Sequence, residues 1–165
     1  MFGWVTDCCC EGCCSTDWDF SDDGFNDGDP WEEIADWHIK IAFEDGVDCG
    51  GSNENIQTGT AQKCLDVFEE AEYTINLDGE IEAQNPGFER ITVTINRCDG
   101  DVAGEQVFTM TRQSTGTGGQ CLMVAKHESD SVTLEVGKYQ VLIDVSTVDA
   151  GWHEGAFWEI QISAD

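Results

Sequence analysis

The chain has 165 residues, of which 40% are hydrophobic, and its 34 Asp and Glu against 7 Lys and Arg give a formal net charge of −27. A surface with this charge repels nucleic acids and anionic lipids, so we expect neither a nucleic-acid partner nor a membrane partner. The length fits one domain that buries its own core, and no apolar run approaches the roughly 18 residues of a membrane-spanning helix.

Residues 1–36 differ in composition from the rest of the chain. They contain five of the nine cysteines and eleven acidic residues, and Lys40 is the first basic residue. No hydrophobic period is sustained through this segment, which predicts an irregular N-terminal arm that cross-links, ligands or a partner hold in place. We therefore expect two parts, a Cys-rich acidic arm over residues 1–36 and a folded domain over residues 37–165.

Apolar and polar residues alternate after this arm. Trp37, Ile39, Ile41 and Phe43 share one face of the first predicted strand. A loop rich in Gly, Ser, Asn and Thr is expected at residues 46–63. Further strands are predicted at residues 71–81, 91–98, 106–113, 120–126, 132–136, 139–145 and 156–162. About eight short strands separated by turn residues predict an all-β fold, an antiparallel β-sandwich or jelly roll.

Five cysteines of the arm lie close together in the sequence: Cys8, Cys9, Cys10, Cys13 and Cys14. Neighbouring cysteines rarely bond each other, because the small ring that they would close is strained. We expect these five to bond distant cysteines, to bind a metal or to link to another chain. Disulfides are the favoured interpretation, because the composition is typical of a protein outside the cytosol.

Four further cysteines, Cys49, Cys64, Cys98 and Cys121, are widely spaced. In one arrangement Cys49 bonds Cys64 across the predicted loop, and Cys98 bonds Cys121 between neighbouring strands. In the other arrangement all four bond cysteines of the arm and fasten it to the domain. Each loop-closing bridge typically adds about 2–4 kcal/mol of stability. Because nine is an odd number, at least one cysteine is free or intermolecular.

A metal site is the alternative for the arm. Cys10-x-x-Cys13 has the spacing of a ligand pair for zinc or for an iron–sulfur cluster. A complete site needs a second such pair, which the spacing of the other cysteines does not supply. Disulfides are therefore preferred over Zn²⁺ or an iron–sulfur cluster.

Oxygen-bearing residues recur at alternate positions of the arm, close to a glycine that would allow a sharp turn. Ca²⁺ takes about six to eight oxygen ligands, and this spacing supplies several of them from one loop. Pro30 stands where an EF-hand loop carries its bidentate Glu, so a solvated acidic linker is the competing interpretation. The candidate calcium ligands are Asp17, Asp19, Ser21, Asp23 and Asp27.

No sequence motif of an enzyme is present. The three histidines, His38, His127 and His153, show no HExxH spacing and no Cys–His signature, and there is no GxSxG turn or phosphate-binding loop. Acidic residues are abundant, but nothing marks two of them as an acid–base pair. We therefore expect a structural or binding protein and not an enzyme.

A resemblance to known sandwiches lies in the last third of the chain. In this region the chain is similar to the jelly-roll domains of tailed-phage surface proteins and to pre-peptidase C-terminal-type modules. The resemblance is one of fold, so it implies a sandwich and carries over no functional residue. It rests on Leu134-x-x-Gly137-x-Tyr139-x-Val141-x-Ile143 and on Trp158-x-Ile160-x-Ile162.

These features favour a structural protein of a virus particle, such as a capsid decoration, neck or tail-associated subunit. Its arm would dock onto a neighbouring protein in a homo- or hetero-oligomeric assembly. The first four residues do not begin a secretory signal, whereas the cysteine content is typical of proteins outside the cytosol, so we expect a virion or extracellular location. The alternatives are a secreted module for carbohydrate- or calcium-dependent binding and a protein with a Cys-ligated metal or iron–sulfur centre.

Overall fold

The structure is a computed structural model, and it describes residues 13–25, 29–42, 56–81, 88–115, 124–148 and 157–165. Among these residues there is no helix with the length and apolar character needed to cross a membrane. The described residues form the strands β1 (Asp19–Asp23), β2 (Trp31–Ala35), β3 (His38–Ala42), β4 (Ile56–Val67), β5 (Ala71–Ile81), β6 (Phe88–Asp99), β7 (Val102–Thr115), β8 (Val124–Leu134), β9 (Gly137–Val148) and β10 (Phe157–Ala164).

The strands form two antiparallel sheets that pack face to face. Sheet A has the strand order β1-β4-β9-β6-β7, and sheet B has the order β2-β3-β10-β5-β8. The β2–β3 and β6–β7 connections stay within one sheet, and every other connection takes the chain from one sheet to the other. This architecture confirms the predicted all-β sandwich, although the sheets contain ten strands.

The core lies between the inner faces of the two sheets. In β9, Tyr139, Val141, Ile143 and Val145 are at most 2% exposed, and the residues between them are half-buried or exposed. Sheet B contributes the opposing side chains, among them Trp158, which is 1% exposed. Because side chains alternate along a strand, this packing leaves the other half of them on the outer faces of the sheets.

Part of the predicted irregular arm is regular structure. β1 pairs with β4 at one edge of sheet A, and β2 pairs with β3 at an edge of sheet B. Phe20 of β1 stacks on Trp31 of β2 with ring centroids 5.2 Å apart, so the two edges adjoin. The expectation for residues 1–36 is therefore corrected at these two strands. Each strand is short and has one main inward residue, so it leaves no hydrophobic period to detect.

The predicted loop over residues 46–63 is also corrected, because its last part belongs to β4. The inward positions there hold Gly59, Ala61 and Lys63 in place of large apolar residues, which hides the strand from a hydrophobicity pattern. Gly59 is required by packing: a Cβ atom at this position would lie 2.7 Å from Cδ1 of Ile41 and 3.1 Å from the Trp31 ring.

Two smaller predictions change as well. Trp37 is not an inward strand residue but lies in the β2–β3 turn with a φ of 59°, a left-handed conformation that is uncommon for residues other than glycine. Phe43, its predicted partner on that face, lies outside the described residues. The strands predicted at 120–126 and 132–136 are parts of one strand, β8, because its polar middle continues to pair with β5.

Candidate functional site

Two disulfides fasten the N-terminal segment to sheet A. Cys13 bonds Cys98 of β6 with their Cα atoms 5.8 Å apart, and Cys14 bonds Cys64 of β4 with their Cα atoms 5.2 Å apart. For Cys64 and Cys98, this confirms the predicted arrangement in which cysteines of the arm bond cysteines of the domain.

The order of the strands explains this pairing. Cys64 and Cys98 lie on β4 and β6, which are separated by β9. Two strand spacings amount to about 9.6 Å, whereas the Cα atoms of a disulfide are at most about 7 Å apart. The adjacent Cys13 and Cys14 lie over β9 and bond one flanking strand each, so the vicinal pair joins two strands that could not be joined directly.

The pairing of Cys64 with Cys49 and that of Cys98 with Cys121 are therefore wrong, because both domain cysteines are already bonded. A sulfur atom in a disulfide is not a thiolate and is not available to a metal. Disulfides are characteristic of proteins that work outside reducing compartments, and the chain thus has the chemistry of an extracellular or secreted protein. Five cysteines lie outside the described residues: Cys8, Cys9, Cys10, Cys49 and Cys121.

Hydrogen bonds hold the same segment independently of its sulfur atoms. The backbone N–H of Cys64 donates to the carbonyl of Ser15 at 2.7 Å. The side-chain amide of Gln140 donates to the carbonyl of Cys13 at 3.4 Å, and Asn96 in turn donates to the oxygen of that amide at 3.0 Å. The N-terminal segment is therefore seated on sheet A by its backbone as well as by covalent bonds.

The candidate calcium ligands do not form a loop where the structure describes them. Asp19, Ser21 and Asp23 occupy alternate, exposed positions of β1, and successive side chains on one face of an extended strand are about 6.6 Å apart. An EF-hand loop must instead curl around the ion. Asp17 is exposed before β1, and Asp27 lies outside the described residues. Within the described ranges, no three His or carboxylate groups bring their ligand atoms within 4.8 Å of one another.

Aromatic rings close the edge of the sandwich where β1 meets β2. Trp18 stacks on Phe20 at 5.9 Å between ring centroids and meets Trp37 edge-on at 5.4 Å. The ammonium group of Lys63, a residue only 8% exposed, lies 4.7 Å from the centre of the Trp37 ring. Because these rings pack mainly on one another, we assign this cluster to stability and not to ligand binding.

A row of ionisable side chains crosses the outer face of sheet B, and we call it the charged row. Its members occupy directly paired positions on all five strands, and their chain neighbours in β3, β5 and β10 point into the core. At about 4.8 Å per strand spacing, the row is about 19 Å long. In order across the sheet it consists of Glu32, Lys40, Glu159, Asp78 and His127.

Two carboxylates stand side by side in the middle of the charged row. Glu159 of β10 is directly opposite Asp78 of β5, and like charges in this position destabilise a sheet. Each carboxylate has a histidine beside it: His38 Nε2 lies 3.4 Å from Glu159, and His127 Nδ1 contacts Asp78. The paired acids are not needed for packing, since their side chains face away from the core.

An aromatic ring borders the charged row. Phe157 lies on the outer face of β10, two residues from Glu159, and its side chain is half-buried. The ammonium group of Lys40 lies 4.5 Å from the centre of the Phe157 ring. This face therefore combines an apolar surface with several directional hydrogen-bonding groups, as binding sites for small polar molecules do.

The outer face of sheet A carries hydroxyl groups in place of paired charges. Ser21, Thr60, Asp144, Thr92 and Thr111 are in register across its five strands. The hydroxyls of the first two are hydrogen-bonded to each other, and those of the last two are 3.1 Å apart. Desolvation by partial burial raises the pKa of Asp144 above its ordinary value of 3.8. Four of these five groups thus find partners within the sheet, which leaves them less free for a ligand than the charged row.

Sequence reasoning does not find the charged row. His38 and His127 are separate surface residues in the sequence, and the acids beside them are two among 34 acidic residues. Lys40, Asp78 and Glu159 each lie between buried residues on their own strands, and this alternation is the one signal that the sequence offers for them. Their alignment depends on which strands are neighbours, which one sequence does not reveal.

No family model matches the chain, and no curated protein matches it in sequence. Solved structures with a similar fold do exist. One is TmCBM61 in complex with β-1,4-galactotriose, with a TM-score of 0.48 and 10% sequence identity, where the match covers 93% of this chain and 92% of that chain.

Two further structures show the same kind of likeness. The enzymatically active domain of tailspike protein 4 from bacteriophage CBA120 has a TM-score of 0.44 at 9% identity, and the match covers 90% of this chain but only 19% of the tailspike chain. The K1 cleaved adhesin domain of Lys-gingipain from Porphyromonas gingivalis W83 has a TM-score of 0.43 at 12% identity, covering 90% of this chain and 89% of that one. At such identities and TM-scores the likeness carries no property of these proteins over to this chain.

Proposed function

We propose that this chain is an extracellular, non-catalytic module that binds a neutral oligosaccharide along the charged row of sheet B. The observation that carries the proposal is the alignment of five ionisable side chains across five strands, with the two central carboxylates directly opposed. Carboxylates accept hydrogen bonds from hydroxyl groups, and Phe157 offers the apolar surface against which a sugar ring can pack.

The charge of the chain narrows the class of ligand. With a formal net charge of −27, the protein repels uronic acids, sulfated sugars and other anionic chains. A neutral sugar avoids this repulsion, and its hydroxyl groups suit both the acidic and the basic members of the row. An elongated ligand is also favoured, because the row is about 19 Å long.

The absence of catalysis is part of the proposal. Catalytic carboxyl groups are usually found in buried positions within a cleft. The side chains of Asp78 and Glu159 are 47% and 30% exposed, which is typical of groups that contact a ligand at a surface.

The proposal is tested by screening the full chain against neutral and anionic glycans and by measuring the affinity of the best ligand by calorimetry. Asp78→Asn and Glu159→Gln should each weaken binding about 10- to 100-fold, because a hydrogen bond to a charged group contributes about 1.5–3 kcal/mol. Asp66→Asn, which removes an exposed acid of sheet A, is the matched control and should leave the affinity unchanged. Binding that survives both charged-row variants would rule out this face.

A repeat of the calorimetry in EDTA separates direct recognition from calcium-dependent recognition. If the side chains of the charged row contact the sugar themselves, the chelator has no effect. If a Ca²⁺ ion bridges the opposed carboxylates and the sugar, binding is lost in EDTA and returns when calcium is added.

The second candidate function is that of a subunit in a virus particle, and exposed apolar residues at one end of the sandwich favour it. Phe68, Val102 and Val136 are 88%, 62% and 58% exposed. They lie at the β4–β5, β6–β7 and β8–β9 turns, and the strand register places these turns at the same end. Such a group of apolar side chains suits contact with a protein surface.

The mode of docking differs from the one expected from the sequence. Much of the predicted docking arm is attached to the sandwich of its own chain. Two disulfides and two paired strands hold residues 13–23 and 31–35 there. In a particle, the turn end with Phe68 would make the contact in their place. Non-reducing mass spectrometry of the native assembly tests this candidate. Phe68→Ser should release the subunit from its assembly. If the unchanged chain remains a monomer when it is mixed with each component of the particle, this candidate is excluded.

A further inference from the structure

Three sulfur atoms lie close together on the outer side of sheet A, and a fourth is bonded to one of them. The Sγ atoms of Cys13, Cys14 and Cys98 all lie within 4.8 Å of one another, and that of Cys64 is bonded to Cys14. Cys14 and Cys98 belong to different disulfides, yet their Sγ atoms are only 3.9 Å apart. We call these four residues the sulfur cluster.

We propose that the sulfur cluster, when reduced, is a tetrathiolate site for Zn²⁺. A tetrahedral zinc site has Zn–S bonds of about 2.3 Å, which places its sulfur atoms about 3.8 Å apart. The distance of 3.9 Å between the sulfur atoms of Cys14 and Cys98 already matches that edge. Thiolates are the ligands that favour zinc over the hard cations.

The backbone keeps the ligands in place after the disulfides are opened. Cys64 and Cys98 lie on strands of one sheet, and both strands pair with β9 over most of their length. Ser15 and Cys13 stay hydrogen-bonded to that sheet through their carbonyl groups. Zinc would therefore complete a ligand set of which the fold has already gathered three sulfur atoms, with the fourth, that of Cys64, next to Cys14, and this lowers the cost of ordering it.

The conversion between the two states balances in electrons and protons. Two equivalents of a dithiol reductant deliver four electrons and four protons to the two disulfides, which become four thiols, while the reductant is oxidised to its own disulfides. One Zn²⁺ ion then displaces the four thiol protons and leaves four Zn–S bonds. A disulfide oxidant reverses the change, since it takes up the four electrons and the zinc ion is released.

With this site, the N-terminal segment would be attached to sheet A under both reducing and oxidising conditions. In a reducing compartment disulfides do not persist, and the segment that carries β1 would then be held without covalent bonds, by the β1–β4 pairing and by its packed rings. Zinc would hold it there, and disulfides would replace the metal once the protein meets an oxidising medium. The sulfur cluster is on sheet A and the charged row is on sheet B. A result that excludes zinc binding would therefore leave the proposed sugar site unaffected, and the reverse also holds.

The test uses the full chain with the five other cysteines replaced, so that any thiolate metal site must involve the sulfur cluster. The reduced, metal-free protein is titrated with Co²⁺ in the absence of oxygen and then with Zn²⁺. We expect one Co²⁺ per chain, with the visible bands and the thiolate charge-transfer band of tetrahedral cobalt, and complete displacement by Zn²⁺. The replaced residues are Cys8, Cys9, Cys10, Cys49 and Cys121, each changed to Ser.

Two controls define the site. The same protein with its disulfides formed should bind no cobalt, because it has no thiolate to offer. Adding Cys98→Ser should weaken Co²⁺ binding by at least about 100-fold, since even the loss of a supporting residue outside the ligand shell costs 10- to 100-fold. The proposal is overturned by a reduced protein that shows no tetrahedral cobalt bands, and equally by bands that survive Cys98→Ser.

Circular dichroism keeps the test decisive if reduction unfolds the chain. The β-sheet signal of the reduced protein is recorded before and after one equivalent of Zn²⁺ is added. A signal that is lost on reduction and restored by zinc supports the site, because metal binding then supplies folding energy. A signal that zinc fails to restore contradicts it.

Discussion

The two open edges of the sandwich are closed by different means. Where β1 meets β2, the stacked rings of Phe20 and Trp31 and the nearly buried Lys63 fill the gap between the sheets. Where β7 meets β8, the inter-sheet contact is an ion pair between Arg112 and Glu128, whose side chains are 36% and 37% exposed. The first edge thus resembles a second core, and the second edge resembles an ordinary protein surface.

The difference shows where a sandwich can be opened. A strand at the edge of a sheet presents unpaired backbone groups, which other chains can use unless they are covered. This holds for all four outermost strands, because in the described residues β1 pairs only with β4, β2 only with β3, β7 only with β6 and β8 only with β5. The two edges differ in their side chains, since aromatic rings pack on one another between β1 and β2. We therefore expect perturbations at the β1–β2 edge to unfold the protein and those at the β7–β8 edge to be tolerated.

The largest expected difference is between aromatic residues at the two edges. Trp31→Ala removes a side chain that is 6% exposed and whose indole N–H donates to the carbonyl of Ser21 at 3.0 Å. It should lower the free energy of unfolding by about 3–5 kcal/mol. Phe108→Ala on β7, where the ring is only partly buried, should cost about 1–2 kcal/mol. Urea unfolding at equilibrium measures both values, and equal losses would show that the edges do not differ.

A smaller difference is expected between the cations of the two edges. Lys63 lies 2.5 Å from the carboxylate of Asp36 and packs against the ring of Trp37, and a cation over an aromatic ring contributes up to about 2 kcal/mol when it is desolvated. Lys63→Ala should therefore destabilise by about 2 kcal/mol, whereas Arg112→Ala should cost about 1 kcal/mol or less. Added salt separates the two further, since it should weaken the Arg112 pair and have less effect on the contact of the nearly buried Lys63 with the Trp37 ring. A larger loss for Arg112→Ala would reverse the comparison.

The smallest effect is expected midway between the edges, at Asp144 on the central strand β9. Burial raises the pKa of this carboxyl above 3.8, so the folded state holds its proton more tightly than the unfolded state. Its contribution to stability is then present below pH 3.8 and is lost as the pH rises through the raised pKa of the folded state. Ionised Asp144 accordingly lowers the stability at neutral pH.

Asp144→Asn should therefore stabilise the protein slightly at pH 7 and make the free energy of unfolding fall less steeply just above pH 3.8. Unfolding curves recorded at a series of pH values, with Asp66→Asn as the control for a general change in net charge, measure this. A pH dependence that is the same in both variants would show that the position of Asp144 has no special effect.

The main strands could be predicted because their residues alternate strictly. Ile91, Val93 and Ile95 of β6 point inward as the pattern requires, and so do Ile75 and Leu77 of β5. β1, β2 and the first half of β4 could not be predicted in this way. Their inward positions hold a single aromatic ring, a glycine or a lysine, and these residues fit only because the neighbouring strand supplies the complementary shape.

The candidate site was less predictable than the fold. Because neighbouring cysteines rarely bond each other, the sequence predicted that Cys13 and Cys14 bond distant cysteines, bind a metal or link to another chain. Which partners they found depends on β9 lying between β4 and β6, and this order follows from the packing of the whole sandwich. The opposed carboxylates Asp78 and Glu159 are likewise brought together by strand order.

The amino-acid sequence alone predicts the local periodicity and the charge of this protein, and its cysteine content favours disulfides. These follow from interactions of residues with solvent and with near neighbours in the chain, and they suffice for an all-β, acidic, cross-linked sandwich. The sulfur cluster, the charged row and the contrast between the two edges arise at the level of tertiary structure. Each of these depends on the register and order of strands that are far apart in the sequence, which are set by long-range packing and leave no local pattern.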